Sequence, residues 1–298
     1  MPKKIILQIS MIAVAALVCH SAVAQNEGKT GSGAEAKTAA SGALRSAADA
    51  LGMLRWSDIG AGASHLPAID VVTTMEIFAT GTVNNAGQPS PAEYHASLAY
   101  IPPAMRVELT RKGAADARTI QTVRENYAWN ESEVGGGLVP GKGTATPAMP
   151  AAKARLLQLW ILPYGVVKAA IAAGDKTKIS MENGGTVLTF PLSGNLSGIT
   201  VTATLDSKNL ITKVETRPDN PALTNLVTET EYSDYADHGE VLTDIKSPGH
   251  IVEKQGGKPF LDLQVKMVNA NDPYLVFPVP PNVKSATTQA SANTPGAK

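Results

Sequence analysis

Cysteine is almost absent from this sequence: Cys19 stands alone, inside an apolar N-terminal stretch. Lys3-Lys4 precede that stretch, Ile5 to Val18 form it, and Ala22-Val23-Ala24 follow as an A-x-A cleavage pattern. The reading is a signal peptide over residues 1–24, cleaved between Ala24 and Gln25, and a periplasmic or secreted protein. Leu17-Val18-Cys19 resembles a lipid-attachment box, but Val18 is bulkier than the small residue such a box requires. Without this segment no cysteine remains, which excludes disulfides, thiolate nucleophiles and cysteine-ligated zinc. No later run of apolar residues is long enough to cross a bilayer as a helix, so a spanning segment is not expected after signal removal. Basic residues are also in short supply. Once Lys3 and Lys4 are gone, acidic residues outnumber basic ones by two, and no basic stripe occurs, so nucleic acid is not an expected partner.

Catalytic signatures are missing as well. Outside the signal segment the histidines are His65, His95, His238 and His250, and none belongs to an H-x-H or H-E-x-x-H pair. There is no G-x-S-x-G elbow. The stretch Val134 to Pro150 (VGGGLVPGKGTATPAMP) approaches a phosphate-binding loop, yet Gly143 occupies the position that should supply a hydroxyl to a metal. Pro147 and Pro150 further delay the helix that would receive the phosphates. That stretch reads as a flexible Gly/Pro-rich linker over 132–150. Asp234, Asp237 and His238 cluster where a hairpin turn is expected and read as a solvated turn. Glu76, Glu108, Glu215, Glu229, Glu231 and Glu253 fall on alternating strands and read as solvent-facing. No catalytic residue, metal ligand or cofactor follows from this, and the protein is not expected to be an enzyme.

What the sequence does contain is strand patterning. Residues 25–41 and 284–298 are rich in small and polar residues and read as a flexible segment and a disordered tail, flanking a single domain over 42–283. Ala43 to Arg55 has helical spacing of Leu44, Ala47, Ala48, Leu51 and Leu54. Strands are predicted at Val71–Val83, Glu93–Tyr100, Met105–Thr110 and Thr119–Trp129. Two helices follow, over Ala151–Leu162 and from Val166 to Ala173, meeting at Pro163. Further strands are predicted at Thr186–Pro191, Thr200–Asp206, Leu210–Thr216, Leu226–Tyr232, Val241–Ile245, His250–Lys254 and Pro259–Val268. Asn183-Gly184-Gly185, Ser207-Lys208-Asn209 and Gln255-Gly256-Gly257 supply their turns. The fold class is therefore α+β: a long, curved antiparallel sheet whose concave face is covered by helices.

Tyr127-Ala128-Trp129-Asn130, Leu159-Trp160-Ile161-Leu162-Pro163-Tyr164-Gly165, Glu229 to Tyr235 (ETEYSDY) and Gln255-Gly256-Gly257 with Leu261-Asp262-Leu263 occur in a specific order. Together they resemble the non-catalytic N-terminal region of exported metallo-β-lactamase-fold hydrolases. The H-x-H-x-D-H zinc motif of that family's catalytic domain is not present here, and Tyr164 stands where relatives tend to have His. The strand-and-helix plan is also similar to the half-barrel of LolA/RseB-type periplasmic lipoprotein carriers. The second resemblance implies a lipid or other hydrophobic ligand in an apolar cleft, with Leu156, Trp160, Tyr164, Val167 and Ile171 as the residues touching it. Ordinary core packing is the other reading of those five. The first resemblance implies a different partner, a metallo-β-lactamase-fold hydrolase or its substrate, on which the chain would dock as an accessory module.

Overall fold

The computed structural model describes residues 33–54, 72–85, 87–113, 118–238 and 244–292. The signal segment lies outside them, as do residues 241–243 of the strand expected at Val241–Ile245. Two antiparallel meanders make up the sheet. The first runs through β1 (Thr74–Asn85), β2 (Gln88–Tyr100), β3 (Pro103–Arg111), β4 (Arg118–Arg124), β5 (Tyr127–Glu131) and β6 (Ala145–Pro147). The second runs through β7 (Lys178–Glu182), β8 (Gly185–Pro191), β9 (Ile199–Leu205) and β10 (Ile211–Pro218), then β11 (Thr228–Ser233), β12 (His250–Gln255) and β13 (Lys258–Ala270). They fuse into one 13-stranded sheet in the order β6-β5-β4-β3-β2-β1-β13-β12-β11-β10-β9-β8-β7. Among these strands, only the pairing of β1 with β13 joins strands distant in sequence, and β6 and β7 are left as the two edges.

That order dictates where the helices go. After β6 the chain must reach the opposite edge to begin β7, and α2 (Ala152–Ile161) and α3 (Pro163–Ala173) make the crossing. α2 packs over β3, β4 and β5, α3 packs over β8, and α1 (Gly33–Ala50) packs on α3 and β7. Leu162 is extended (φ −60°, ψ 147°), as the residue before a proline prefers, and Pro163 opens α3. The two helical segments consequently meet at 96°. Gly165 allows that corner, since a Cβ there would lie 2.4 Å from the Leu159 carbonyl oxygen. The architecture predicted from the sequence, a curved antiparallel sheet with helices over its concave face, is the one found, with one further, C-terminal helix on the other face. No single helix among the described residues is long and apolar enough to cross a membrane.

Several local expectations are corrected. Thr119–Trp129 is not one strand but the hairpin β4–β5, turned at Glu125 with φ 55°. The segment 132–150 is not a plain linker. Its glycines turn the chain back so that β6 pairs with β5 at Trp129↔Pro147 and Glu131↔Ala145. Asp244 and Ile245, the described end of the strand expected at Val241–Ile245, are not in a strand. Helix α1 begins at Gly33, inside the expected flexible segment, and α4 (Pro281–Ala292) begins before the expected tail and extends into it. Leu261, Leu263 and Val265 are buried as their alternation predicts, but Met267 is 41% exposed while Val268 is buried. The cause is a bulge: Phe78 pairs with Met267 and Ala79 with Val265, so Lys266 is the extra residue and the alternation changes phase.

The convex face of the first meander carries its own layer. Phe277 packs on Ala99 and Ala104 with the Arg106 guanidinium 5.4 Å from its ring, and Val279 and Val283 pack on Trp129 and Ala145. Beneath this layer the Glu131 carboxylate gathers donors from four places. Trp129 Nε1 and Thr122 Oγ1 donate to Oε1 at 2.8 Å each, the Gly135 amide donates to Oε2 at 2.7 Å, and Arg106 Nε lies 3.4 Å away. Glu131 therefore ties β5 to β3, β4 and the glycine-rich turn.

Two substitutions test this frame. Glu131→Ala strands buried donors and the Arg106 charge, and denaturant titration is expected to show a loss of about 3 kcal/mol or more; a change within experimental error would contradict the hub. At Gly81 a Cβ would lie 1.9 Å from the Asp262 carbonyl oxygen across the β1–β13 seam. Gly81→Val is accordingly expected to destabilise by about 3 kcal/mol, and an unchanged midpoint would mean the seam tolerates separation.

Candidate functional site

A cavity of about 170 Å³ lies between the sheet and α2. Gln121 of β4 and Tyr232 of β11 both line it. Those strands are six positions apart in the sheet order, a separation of about 29 Å in a flat sheet. Only a strongly curved sheet brings them to one cavity, so this is the concave face. Ile77, Val107, Leu109, Ile251, Leu261 and Leu263 supply apolar wall, and α2 with its corner supplies Gln158, Ile161 and Leu162. The Tyr232 hydroxyl donates to the Ile161 carbonyl at 2.9 Å and so fastens the end of α2 to the sheet.

Polar groups interrupt the apolar wall. Tyr94, Arg111, Thr119, Gln121, Thr230 and Glu253 all reach it. Thr230 and Glu253 sit directly opposite each other in the β11–β12 ladder. The Thr230 Oγ1 is buried and makes no hydrogen bond of acceptable geometry, the Tyr232 hydroxyl beside it being directed to Ile161 instead. Glu253 is only 4% exposed, and burial raises its pKa to about 7 although the Gln255 amide donates to Oε1 at 2.8 Å. Burial likewise raises the Tyr94 and Tyr232 phenols, with the nearby Glu253 carboxyl adding to the effect. Of the six glutamates expected on the solvent face, Glu253 is therefore misplaced. It shares strand parity with buried Ile251, a signal the sequence carried.

The five residues expected to touch a ligand do not come together. Leu156 and Trp160 line a second, shallower cleft of about 260 Å³ on the other side of α2, with Ala169, Leu192 and Leu196. Trp160 also packs edge-on against Tyr100, ring centroids 5.7 Å apart. Val167 is fully buried in the core. Tyr164 is buried too, its hydroxyl bonded to the Lys246 carbonyl and 2.6 Å from Ser247 Oγ. Ile171 faces solvent at 38% exposure. None of the five lines the concave-face cavity. Trp129, a landmark of the hydrolase resemblance, sits on the opposite face of the sheet and serves the Glu131 hub.

The cavity's size bounds what it holds in this form. An engineered cavity of about 150 Å³ accommodates benzene, while drug-sized ligands occupy about 300 Å³ or more. A ring or a stretch of alkyl chain fits here, and anything larger requires α2 to move. Among the described residues, no group of three or more His, Cys, Asp or Glu could hold a metal ion.

No protein-family model and no curated protein matches the sequence. Among solved structures, the chain is similar to a DUF1329 family protein from Desulfovibrio piger, at 9% identity and a TM-score of 0.46, over 81% of this chain and 95% of that one. It is also similar to a LolA superfamily protein from Nitrosomonas europaea, at 10% identity and a TM-score of 0.42, over 77% and 94% of the two chains. These likenesses are too distant to carry a function across, and the cavity's chemistry stands on this chain's own residues.

The raised pKa of Glu253 has a definite consequence for stability. A carboxyl whose folded pKa is about 7 against an ordinary 4.5 imposes no penalty below the ordinary value, a growing one between the two, and the full penalty above 7. The full penalty is roughly 3 kcal/mol. Glu253→Gln removes it, so the variant is expected to gain stability over the parent as pH rises from about 5 to 8. Thermal melts across that range measure this, and parallel curves for the two proteins would contradict an ionising buried carboxyl.

Proposed function

We propose that this chain is an exported, non-enzymatic binding protein that holds a hydrophobic or amphiphilic small molecule between the concave face of its sheet and α2. The observation carrying this reading is the cavity itself, walled by apolar side chains of strands from both meanders and roofed by a helix whose end is pinned through Tyr232. Well-packed interiors leave few voids larger than a water molecule, so a space of this size with both apolar wall and convergent polar groups calls for an occupant. The signal-like N-terminus supports export, and outside the cytoplasm an amphiphile would otherwise partition into membrane. Longer ligands enter by displacing α2 about the Leu162–Pro163 corner, which already separates it from α3. Docking on a metallo-β-lactamase-fold hydrolase is less well supported, because Trp129, a landmark of that resemblance, is 1% exposed and presents no docking surface.

Octanol is a suitable probe, pairing a short alkyl chain with one hydroxyl. Calorimetry is expected to detect its uptake by the parent protein. Val107→Trp, which fills the cavity, is expected to weaken uptake roughly tenfold or more. Ile171→Asp, on the exposed side of α3, is expected to leave it unchanged. No uptake by the parent, or equal uptake by the folded Val107→Trp protein, would overturn the reading.

A further inference from the structure

Within that cavity, two neighbouring buried groups, Glu253 and Thr230, are incompletely paired. Glu253 is a buried carboxyl, acted on by burial and by the Gln255 amide and not held by a neighbouring cation. Directly opposite it in the β11–β12 ladder, the Thr230 hydroxyl is 1% exposed and has no hydrogen bond of good geometry, the neighbouring Tyr232 hydroxyl donating to Ile161 instead. Gln158, on α2, brings an amide, which can accept as well as donate, to the same cavity. A carboxylate only accepts and a hydroxyl can accept as well as donate, while a protonated amine offers three donors on one atom. Buried polar groups that remain unpaired are unfavourable, so a donor that satisfies them gains what the empty site forgoes.

We infer that Glu253 and Thr230 form an acceptor subsite for the protonated amine of an amphiphilic ligand, whose alkyl portion lies against the apolar wall formed by Ile77, Val107, Leu109 and Leu261. This rests on the binding reading above and names its ligand's chemistry. The competing group is Arg111, which faces the cavity from β3 and would favour an anionic head. Arg111 Nε is itself buried without a hydrogen-bond partner, but the residue as a whole is only half-buried, whereas Glu253 is almost entirely removed from water, and a charge interaction is stronger where water is excluded. The other titratable groups facing Glu253 are Tyr94 from β2 and Tyr232 from β11, both held in their neutral phenol form by burial.

The test compares octylamine, octanol and octanoate, which share one alkyl chain, by calorimetry on the full mature chain at about pH 8, where Glu253 is ionised. Octylamine is expected to bind roughly tenfold or more tightly than octanol. Glu253→Gln is expected to abolish that preference, and Thr230→Val to reduce it in part, while Ile171→Asp, outside the cavity, keeps it in full. A cooperative thermal melt and an unchanged circular dichroism spectrum certify that each variant is folded. At about pH 5 the carboxyl keeps its proton and the preference of the parent protein is expected to shrink, a response that a purely structural glutamate would not give. Equal binding of octylamine and octanol, tighter binding of octanoate, or a preference that survives Glu253→Gln would each overturn the amine subsite. Failure of all three ligands to bind would instead overturn the cavity as a binding site.

Discussion

The pairing of β1 with β13 is the constraint on which the rest of this molecule depends. Each meander could assemble from local hairpins, but neither alone would have a reason to curve around a helix. Joining them edge to edge produces one 13-stranded sheet whose free edges, β6 and β7, are successive strands in the chain but lie at opposite ends of the sheet. The connection between β6 and β7 then has to cross the sheet from edge to edge. A crossing of that length over an apolar face can only be covered backbone, which is to say helix, because an extended segment there would leave its amides unpaired. The seam thus determines the layer order, and the bulge at Lys266 adjusts the phase of its long strand so that Val268 and Ala270 still face inward.

The cavity is a by-product of the same geometry. Two helical segments meeting at 96° cannot follow a continuously curved surface, and the sheet falls away from α2 where β3, β4 and β11 to β13 converge. Apolar residues fill much of that gap. What remains is bordered by groups that a purely structural core would not select, above all a carboxyl and an unpaired hydroxyl on facing residues of adjacent strands. On the convex side the contrast is instructive. There Glu131 is equally buried, but every approach to it is occupied by a donor, and the result is a rigid cross-tie. Two buried glutamates in one sheet therefore do opposite things: Glu131 closes a structural network, and Glu253 leaves one open.

How much of this was legible in the sequence depends on the range of the interaction. Hairpins were readable because their turns are local chemistry. Asn183-Gly184, Asn209 and Gly256-Gly257 all take the positive φ that Asn and Gly tolerate. The Glu125 turn was missed because a residue that disfavours positive φ occupies it. Nothing local marks the seam, since Met75 and Ala270 are brought together only by the completed meanders. The site was illegible for a related reason. α2 carries Leu156, Leu157, Leu159, Trp160 and Ile161, which are apolar nearly all round, so its pattern does not say which side meets the cavity and which meets the outer cleft. The inward parity of Glu253 was present in the sequence, but scattered strand glutamates so commonly face solvent that its agreement with Ile251 carried the information unnoticed.

The central claim is that the space beneath α2 holds a hydrophobic or amphiphilic molecule. Native mass spectrometry of the mature protein, purified from an exported preparation and paired with solvent extraction of the same sample, tests it most directly. The account predicts a reproducible additional mass that passes into the organic phase and is missing from the Val107→Trp protein. A bare mass in both proteins, with no uptake when fatty acids, amines and phospholipids are supplied, would contradict it.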